Sequence, residues 1–235
     1  MDNNCPIEYK KGYTNFFGCK INLSSKCFIP KIETEFWVKK AIKQIRGKNF
    51  NILDIFSGSG CIGIAVLKNC SEQCRRVTFA EINKNLIEQI KLNLRLNKIN
   101  PKRYKVIQSD IFKEILGESK RKQKKSKCKQ EKERQFDYIF ANPPYIPLKN
   151  KHLVQNSVLN YEPHLALFGG KDGLFYIKKF LKDVRRYLKL NGEIYMEFDH
   201  LQKTDLERLL KKLNYTNYKI YKDQFKKYRY VCIKN

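Results

Sequence analysis

Several features that would assign a chain to the membrane or the secretory pathway are missing from this sequence. No apolar run approaches the roughly 20 residues needed to cross a bilayer, and the longest covers about residues 61–67. The first thirty residues lack the basic and apolar regions of a secretory signal, and the first arginine is Arg46, which argues against an arginine-rich transit peptide. We therefore expect a protein without a membrane span or a visible targeting segment.

Metal-binding and disulfide patterns are missing as well. The eight cysteines form no C-x-x-C motif, their only close pair is Cys70 and Cys74, and the chain has only three histidines. We therefore predict no metal site. Eight thiols without a secretory signal indicate an intracellular, reducing compartment, in which most of them would serve as small core residues.

Acidic residues are scarce: 23 Asp and Glu stand against 49 Lys and Arg in 235 residues, a net charge of +26. Hydrophobic residues at 42% supply a core for one domain and exclude a wholly disordered chain. The excess charge fits RNA binding, a place near the ribosome, or a genome rich in Lys and Asn codons. Residues 118–134 hold nine Lys and Arg and three acids, so 9 − 3 = +6, without apolar periodicity, which predicts an exposed mobile loop.

Apolar runs alternate with amphipathic segments along the rest of the chain. This alternation predicts an α/β fold, a doubly wound and mainly parallel sheet whose ligands bind at the carboxyl ends of the strands. A terminal strand pair is predicted at residues 218–221 and 228–233. The other predicted strands are residues 51–56, 76–82, 104–108, 136–141 and 193–198, and the predicted helices are residues 61–68, 86–94, 174–188 and 201–213.

A glycine-rich turn follows the first of these strands. Residues 58–63 read G-x-G-x-x-G, and Glu81 lies 18 positions further on, as in a nicotinamide-dinucleotide site. Asp54, however, precedes Gly58 by four positions, and an acid there suits a ligand that carries an ammonium group, as S-adenosylmethionine does. The dinucleotide alternative is open, but methyl transfer is favoured.

The same strand ends supply the other predicted contacts of S-adenosylmethionine. Glu81 can accept both ribose hydroxyls, Asp110 can accept from the adenine amino group, and Ile111 can pack on the adenine ring. The predicted cofactor-binding residues are Asp54, Phe56, Ser57, Gly58, Ser59, Gly60, Glu81, Asp110, Ile111 and Asn142.

The tetrapeptide Asn142-Pro143-Pro144-Tyr145 follows the fourth strand. Two prolines fix its backbone, so that the Asn142 side chain and the Pro143 carbonyl can act as rigid acceptors. An amide or ring-attached amino nitrogen is a poor nucleophile, and an enzyme must grip its two hydrogens and direct its lone pair at the methyl group. Tyr145 can stack on the planar group. The motif therefore predicts methylation of such a nitrogen.

The chain resembles the protein-(glutamine-N5) methyltransferases of translation release factors, the HemK or PrmC family, over nearly its whole length. Residues 28–35, F-I-P-K-I-E-T-E, are similar to the I-P-R-P-E-T-E motif of that family. Residues 6–18, 108–112, 142–146, 161–167 and 170–174 match further family motifs in order. The motifs E-T-E and E-P-x-x-A-L separate glutamine enzymes from the adenine amino-group methylators that share N-P-P-Y.

The resemblance implies a class I S-adenosylmethionine-dependent methyltransferase (Rossmann-like) fold that methylates the glutamine of the Gly-Gly-Gln motif of a peptide chain release factor. It implies catalytic roles for Asn142, Pro143 and Tyr145. It adds Pro144, Glu33, Thr34 and Glu162 as substrate-binding residues. We expect a monomer and weak RNA or ribosome association through the basic surface. A mitochondrial location is favoured, with the cytoplasm as the alternative. Amino-group methylation of RNA or DNA, and a cofactor-binding module without catalysis, are the alternatives.

The chain departs from the family pattern at several places. Phe56 replaces the first glycine of D-x-G-x-G-x-G, Lys31-Ile32 replace Arg-Pro, and E-I-G-x-x-Q is represented by residues 197–202, E-F-D-H-L-Q. Family members carry an N-terminal helical domain, whereas five residues precede Pro6 here. We therefore expect a lead-in at residues 1–35 and a catalytic domain at residues 36–235, with residues 118–134 as an insertion.

Overall fold

The computed structural model describes residues 4–115 and 135–235, so the predicted loop at residues 118–134 lies outside the described residues. A seven-stranded sheet forms its centre. Its strands are β3 (Phe50–Ile55), β4 (Cys74–Glu81), β5 (Tyr104–Gln108), β6 (Phe136–Ala141), β7 (Leu188–Glu197), β8 (Tyr218–Lys222) and β9 (Tyr228–Lys234). Their order across the sheet is β5-β4-β3-β6-β7-β9-β8.

Five neighbouring strands, β5 to β7 in the sheet order, are parallel, and β9 and β8 complete the sheet as an antiparallel pair. This arrangement confirms the predicted fold class and the terminal strand pair. The chain reverses its direction across the sheet between β3 and β6, and in such sheets a crevice for ligands opens at the carboxyl ends of the strands beside that point.

Helices cover both faces of the sheet. In α4 the buried residues Leu86, Ile90 and Leu94 recur every four positions, which places them on one face against the sheet, and the side chain of Asn83 caps the helix by accepting from the Asn85 N–H at 2.9 Å. The helices are α1 (Ile7–Lys11), α2 (Ile32–Gln44), α3 (Cys61–Asn69), α4 (Lys84–Leu96), α5 (Asn156–Tyr161), α6 (His164–Leu167), α7 (Phe175–Asp183) and α8 (Lys203–Lys212).

The predicted helix at residues 174–188 is wrong at its end. The α7 helix stops at Asp183, a 3-10 turn covers Val184–Arg186, and Leu188 already begins β7. Within β7, Asn191 adopts a left-handed backbone with φ +62° beside Gly192. An Asn-Gly pair is a strong turn signal in a sequence, and here it marks an irregularity inside one long strand.

The sequence prediction omitted all regular structure before β3. An antiparallel hairpin of β1 (Tyr13–Phe16) and β2 (Cys19–Asn22) packs against α3 and α4, where the Asn22 N–H donates to Asn93 Oδ1 at 2.8 Å. The predicted boundary after residue 35 falls inside α2. Within the part of the chain that the structure describes, no helix is long and apolar enough to span a bilayer.

Candidate active site

A cavity opens at the carboxyl ends of β3, β4, β5 and β6, beside the point where the chain reverses its direction across the sheet. Both predicted groups of residues, those for the cofactor and those for the substrate, contribute to its wall. The predicted site residues that line it are Thr34, Phe56, Ser57, Gly58, Ser59, Glu81, Asp110, Ile111, Asn142, Pro143, Pro144 and Tyr145. Glu33, Asp54, Gly60 and Glu162 are not part of this wall.

The turn after β3 is built from left-handed backbone. Phe56, Gly58 and Gly60 have φ of +59°, +53° and +80°, and the Gly60 N–H donates to the Ser57 carbonyl at 2.7 Å. A Cβ on Gly58 would meet no atom within 4 Å, whereas one on Gly60 would press on Ile90. The turn is therefore open to the cavity at Gly58, whereas at Gly60 it packs closely against Ile90 of α4.

Phe56 stands where the family pattern has glycine. A left-handed conformation costs a non-glycine residue about 1–2 kcal/mol. The Phe56 ring lies edge-on to Tyr176 and Phe180, each with ring centroids 6.2 Å away. These aromatic contacts offset the backbone strain, so the turn keeps its shape without its first glycine.

Asp54 lies beneath the turn rather than in the cavity wall. Its side chain is buried, and Oδ2 accepts from the Gly63 N–H at 2.8 Å, while Oδ1 has no hydrogen-bond partner among the described residues. Desolvation by burial raises the pKa of Asp54 to about 8. The carboxyl group thus fixes the start of α3 and leaves one acceptor atom free.

Glu81 ends β4 and faces the cavity with its carboxylate held by backbone. Oε2 accepts from the Gly58 N–H and Oε1 from the Asn83 N–H, both at 2.9 Å. Burial raises the pKa of Glu81, and these two hydrogen bonds oppose the rise. Each oxygen keeps a lone pair, so the group can still accept two ligand hydroxyls.

The loop after β5 brings Asp110 and Ile111 to the same wall. Asp110 forms an ion pair with Lys113. Ile111 has a φ of +55°, and its carbonyl accepts from Ser109 Oγ at 2.8 Å. A β-branched residue in left-handed backbone is uncommon, and residues held in such strained conformations cluster at ligand sites.

The tetrapeptide after β6 is held from three directions. The Asn142 Nδ2 lies 3.5 Å from Thr34 Oγ1 at the start of α2, and the Tyr145 hydroxyl donates to Glu197 Oε1 at 2.9 Å. Gln202 Nε2 donates to the Tyr145 carbonyl at 2.9 Å. Burial and the neighbouring Glu197 carboxylate raise the pKa of Tyr145 well above its ordinary value, so its phenol stays neutral.

Glu197 and Gln202 were not among the predicted site residues. Their only sequence signal was the partial match of residues 197–202 to a family motif. Trp37, which also donates to Glu197, gave no signal because an isolated tryptophan in an apolar segment is typical of a core residue.

Two predicted substrate contacts lie away from the cavity. Glu162 is buried, accepts from the Ile29 N–H at 3.3 Å and pairs with Lys31 Nζ at 2.8 Å. Glu33 is half-buried in the first turn of α2. In this structure Glu162 ties the segment before α2 to the end of α5, and this contact fixes one edge of the cavity.

Comparisons with known proteins address the family and the fold of the chain. Residues 35–178 match the family described as "Conserved hypothetical protein 95". The release factor glutamine methyltransferase of Streptococcus pneumoniae (strain ATCC BAA-255 / R6) is 31% identical over 229 residues, which cover 97% of this chain and 74% of the relative. The enzyme of the same name from Flavobacterium psychrophilum is 32% identical over 223 residues, which cover 93% and 71%.

The crystal structure of M. jannaschii TYW2 in complex with AdoMet has a TM-score of 0.54 at 17% identity and covers 94% of this chain and 84% of that one, a similarity of fold alone. The two relatives named above come from bacteria and lend no support to the mitochondrial location. The two bacterial enzymes are more than 30% identical to the chain, which covers more than two thirds of each, and a family model matches residues 35–178. The chain therefore belongs to the release factor glutamine methyltransferase family.

Proposed function

We propose that the chain transfers a methyl group from S-adenosylmethionine to the side-chain amide nitrogen of the glutamine in the Gly-Gly-Gln motif of a peptide chain release factor. One observation carries the proposal: the glycine turn after β3 and the Asn142–Tyr145 tetrapeptide after β6 line the same cavity. A methyl donor held at the first and an amide held at the second would be neighbours. Membership of the family supports the same substrate.

The residues around the turn fit S-adenosylmethionine. The open space at Gly58 lets a ligand approach the backbone, Glu81 has lone pairs for ribose hydroxyls, and Ile111 offers an apolar surface for the adenine ring. Asp54 lies beneath the turn with its Oδ1 unpaired, and a cationic ligand bound near it would favour the ionised form of its carboxyl group. S-adenosylmethionine would supply a methyl group activated on a sulfonium.

The Asn142–Tyr145 tetrapeptide would hold the glutamine amide that receives the methyl group. The Asn142 side-chain oxygen and the Pro143 carbonyl accept the two hydrogens of the substrate amide, which turns the nitrogen lone pair toward the methyl group. Tyr145 lies against the planar amide as a neutral phenol. Formation of the new C–N bond would be matched by cleavage of the methyl–sulfur bond, whose electron pair would stay on the sulfur of the departing thioether. The substrate nitrogen would become acidic and lose a proton to solvent, so the site needs no strong base. Direct substrate contacts of Glu33 and Glu162 remain predictions.

An incorporation assay tests the function. Labelled S-adenosylmethionine is offered with a release factor, with the same factor whose Gly-Gly-Gln glutamine is replaced by glutamate, and with RNA. We expect label only in the unmodified factor. Label in the glutamate form would place the acceptor at another residue, and label in RNA alone would overturn the proposed substrate.

Amino-group methylation of RNA is the second candidate, because a net charge of +26 favours contact with phosphates. The same charge suits an enzyme whose protein substrate works on the ribosome. We propose weak RNA association through the basic surface as an accessory property, which the RNA arm of the assay separates from catalysis.

Substitution of Gly58 tests the cofactor site. Valine there would be strained by the φ of +53° and would place its side chain in the cavity, so we expect calorimetry to show at least a tenfold loss of S-adenosylmethionine affinity. Gly47→Val is the matched control, because Gly47 also has a positive φ and open space around it but lies outside the cavity. Equal affinities in both variants, or NAD binding by the unchanged chain, would refute the assignment.

A further inference from the structure

We propose that Thr34 and Glu197 are positioning residues that fix which way the amide group of Asn142 faces. This inference rests on the proposed function, since it concerns the group that would grip the substrate amide. It assigns a chemical role to the start of α2 and to the end of β7, which meet through the hydrogen bond between Thr34 and Glu197 and contact the Asn142–Tyr145 tetrapeptide.

Glu197 is the centre of a buried hydrogen-bond network. Glu197 is 1% exposed, and its carboxylate accepts three side-chain hydrogen bonds, two from α2 and one from the tetrapeptide after β6. Oε2 accepts from Thr34 Oγ1 at 2.7 Å and from Trp37 Nε1 at 2.6 Å, and Oε1 accepts from the Tyr145 hydroxyl at 2.9 Å. A buried carboxylate with three donors is held in one position.

The Thr34 hydroxyl has one proton, and that proton is committed to Glu197. Toward any other neighbour the hydroxyl can only accept. Asn142 therefore turns its NH₂ group to Thr34, with Nδ2 at 3.5 Å from Oγ1, because the opposite orientation would bring two acceptor oxygens together. The contact is long and weak, so it selects an orientation more than it adds stability.

The selected orientation is the one that the reaction needs. The oxygen and the nitrogen of an amide diverge from their shared carbon, so an Nδ2 held at Thr34 leaves Asn142 Oδ1 free to accept a hydrogen from the substrate nitrogen. With the amide reversed, the site would offer a donor to a group that carries its own hydrogens. Glu197 thus acts on Asn142 through Thr34, while the hydrogen bonds of Tyr145 with Glu197 and Gln202 hold the other end of the tetrapeptide.

The test compares Thr34→Val with Thr34→Ser. Valine keeps the shape of threonine but removes the hydroxyl, and serine restores the hydroxyl. We expect Thr34→Val to lower kcat for a release factor at least tenfold with S-adenosylmethionine affinity within a few fold of normal, and Thr34→Ser to recover most of the rate. If Thr34→Val shows no cooperative melting transition, Thr34→Ala removes the hydroxyl without presenting a new methyl group to Glu197.

A double-mutant cycle separates positioning from a general structural effect. Asn142→Ala alone should lower kcat about a hundredfold, as expected when one transition-state hydrogen bond is removed. If Thr34 acts through Asn142, adding Thr34→Val to Asn142→Ala should lower kcat by less than threefold further. A full additional tenfold loss in the double variant would overturn the inference.

The proposed function and the positioning role of Thr34 fail in different ways. Absence of turnover by the unchanged chain would overturn the proposed function and this inference together. Normal turnover by both the unchanged chain and Thr34→Val would overturn this inference alone.

Discussion

Three buried carboxyl groups at the carboxyl ends of the strands differ in the number of donors that they meet. Asp54 accepts one hydrogen bond, Glu81 accepts two and Glu197 accepts three. Burial raises the pKa of all three, and donors oppose that rise. Asp54 therefore has the fewest hydrogen bonds to oppose the effect of burial on its pKa.

The raised pKa of Asp54 predicts a pH-dependent stability. Its ordinary pKa of 3.8 rises to about 8 in the folded chain, so between these values the folded state holds a proton that the unfolded state releases. Stability from this group is therefore complete below about pH 4 and is lost as the pH rises toward 8, by up to about 1.4 kcal/mol per pH unit. Asp54→Asn keeps an acceptor for Gly63 and cannot ionise, so it should remove this slope.

The measurement is urea unfolding of both proteins at pH 5, 6.5 and 8 without cofactor. We expect the free energy of unfolding of Asp54→Asn to rise relative to that of the unchanged chain with each increase in pH. Because the other titrating groups are common to both proteins, the difference between the two curves isolates Asp54. Parallel curves would mean that Asp54 is already ionised in the folded chain.

Some site residues follow from the sequence and others do not. Asn142 and Glu81 were placed at the cavity because each ends or follows an apolar run, and the carboxyl ends of parallel strands share one edge of a sheet. Thr34 and Glu197 are 163 positions apart, and nothing local in either segment predicts their hydrogen bond. The local sequence also could not predict where Glu162 lies, because the residue is held by an ion pair with Lys31, 131 positions away.

At the scale of elements, the loop at residues 169–173 is the tightest support of the tetrapeptide. The Gly169 N–H donates to the Ile146 carbonyl at 2.9 Å, and a Cβ on Gly173 would overlap the Tyr145 carbonyl oxygen and the Gln202 side chain. Gly173 also has a φ of +75°. Close approach of two backbones and a left-handed conformation both require glycine here.

Alanine at Gly173 should therefore displace Tyr145. We expect Gly173→Ala to lower the melting temperature and to reduce methylation at least tenfold. Gly12→Ala is the matched control, because Gly12 has the same φ of +75° but nothing within 4 Å of its Cβ position. Its cost should be only the backbone strain, about 1 kcal/mol, with methylation intact. Equal effects of the two variants would show that strain, and not contact with Tyr145, sets the requirement.

The elements that the sequence predicted well are those with strong local signals. The strands β3 to β6 are short apolar runs that turn residues or helices follow, and their predicted bounds lie within two residues of the observed ones. The α2 helix was missed because its first turn has no capping side chain and lies inside the segment that was interpreted as a motif. The start of β7 was predicted at residue 193 but lies at Leu188, because pairing with β6 continues the strand through Asn191-Gly192, a pair that is typical of turns.

At the scale of the whole molecule, the basic residues 118–134 and the hydrophobic core can be considered separately. The core clusters include residues on both sides of the stretch that is not described, among them Ile115 and Phe136, which are 5% and 4% exposed. Ile115 and Phe136 thus belong to the same core cluster. Residues 118–134 contribute +6 of the net +26 without an apolar pattern that would join them to this core.

Replacement of residues 118–134 tests this separation. A neutral Gly/Ser linker lowers the net charge from +26 to 26 − 6 = +20, and a control linker of equal length carries six lysines among Gly and Ser. Both should shift the melting temperature by less than about 2 °C, the effect of less than ~1 kcal/mol in a chain of this size. Methylation of an isolated release factor should be unchanged in both. A large fall in the melting temperature of both proteins would show that the native segment packs on the body.

The two linkers should differ only in RNA association. With single-stranded oligouridine as the probe, each phosphate that the protein no longer neutralises flattens the plot of log affinity against log salt by about 0.7. The neutral linker should therefore reduce the salt dependence and the lysine linker should keep it, because counterion release depends on the number of positive charges near the phosphates rather than on their order in the sequence. If the neutral linker left the slope unchanged, RNA association would have to come from the rest of the chain, whose net charge is 40 − 20 = +20.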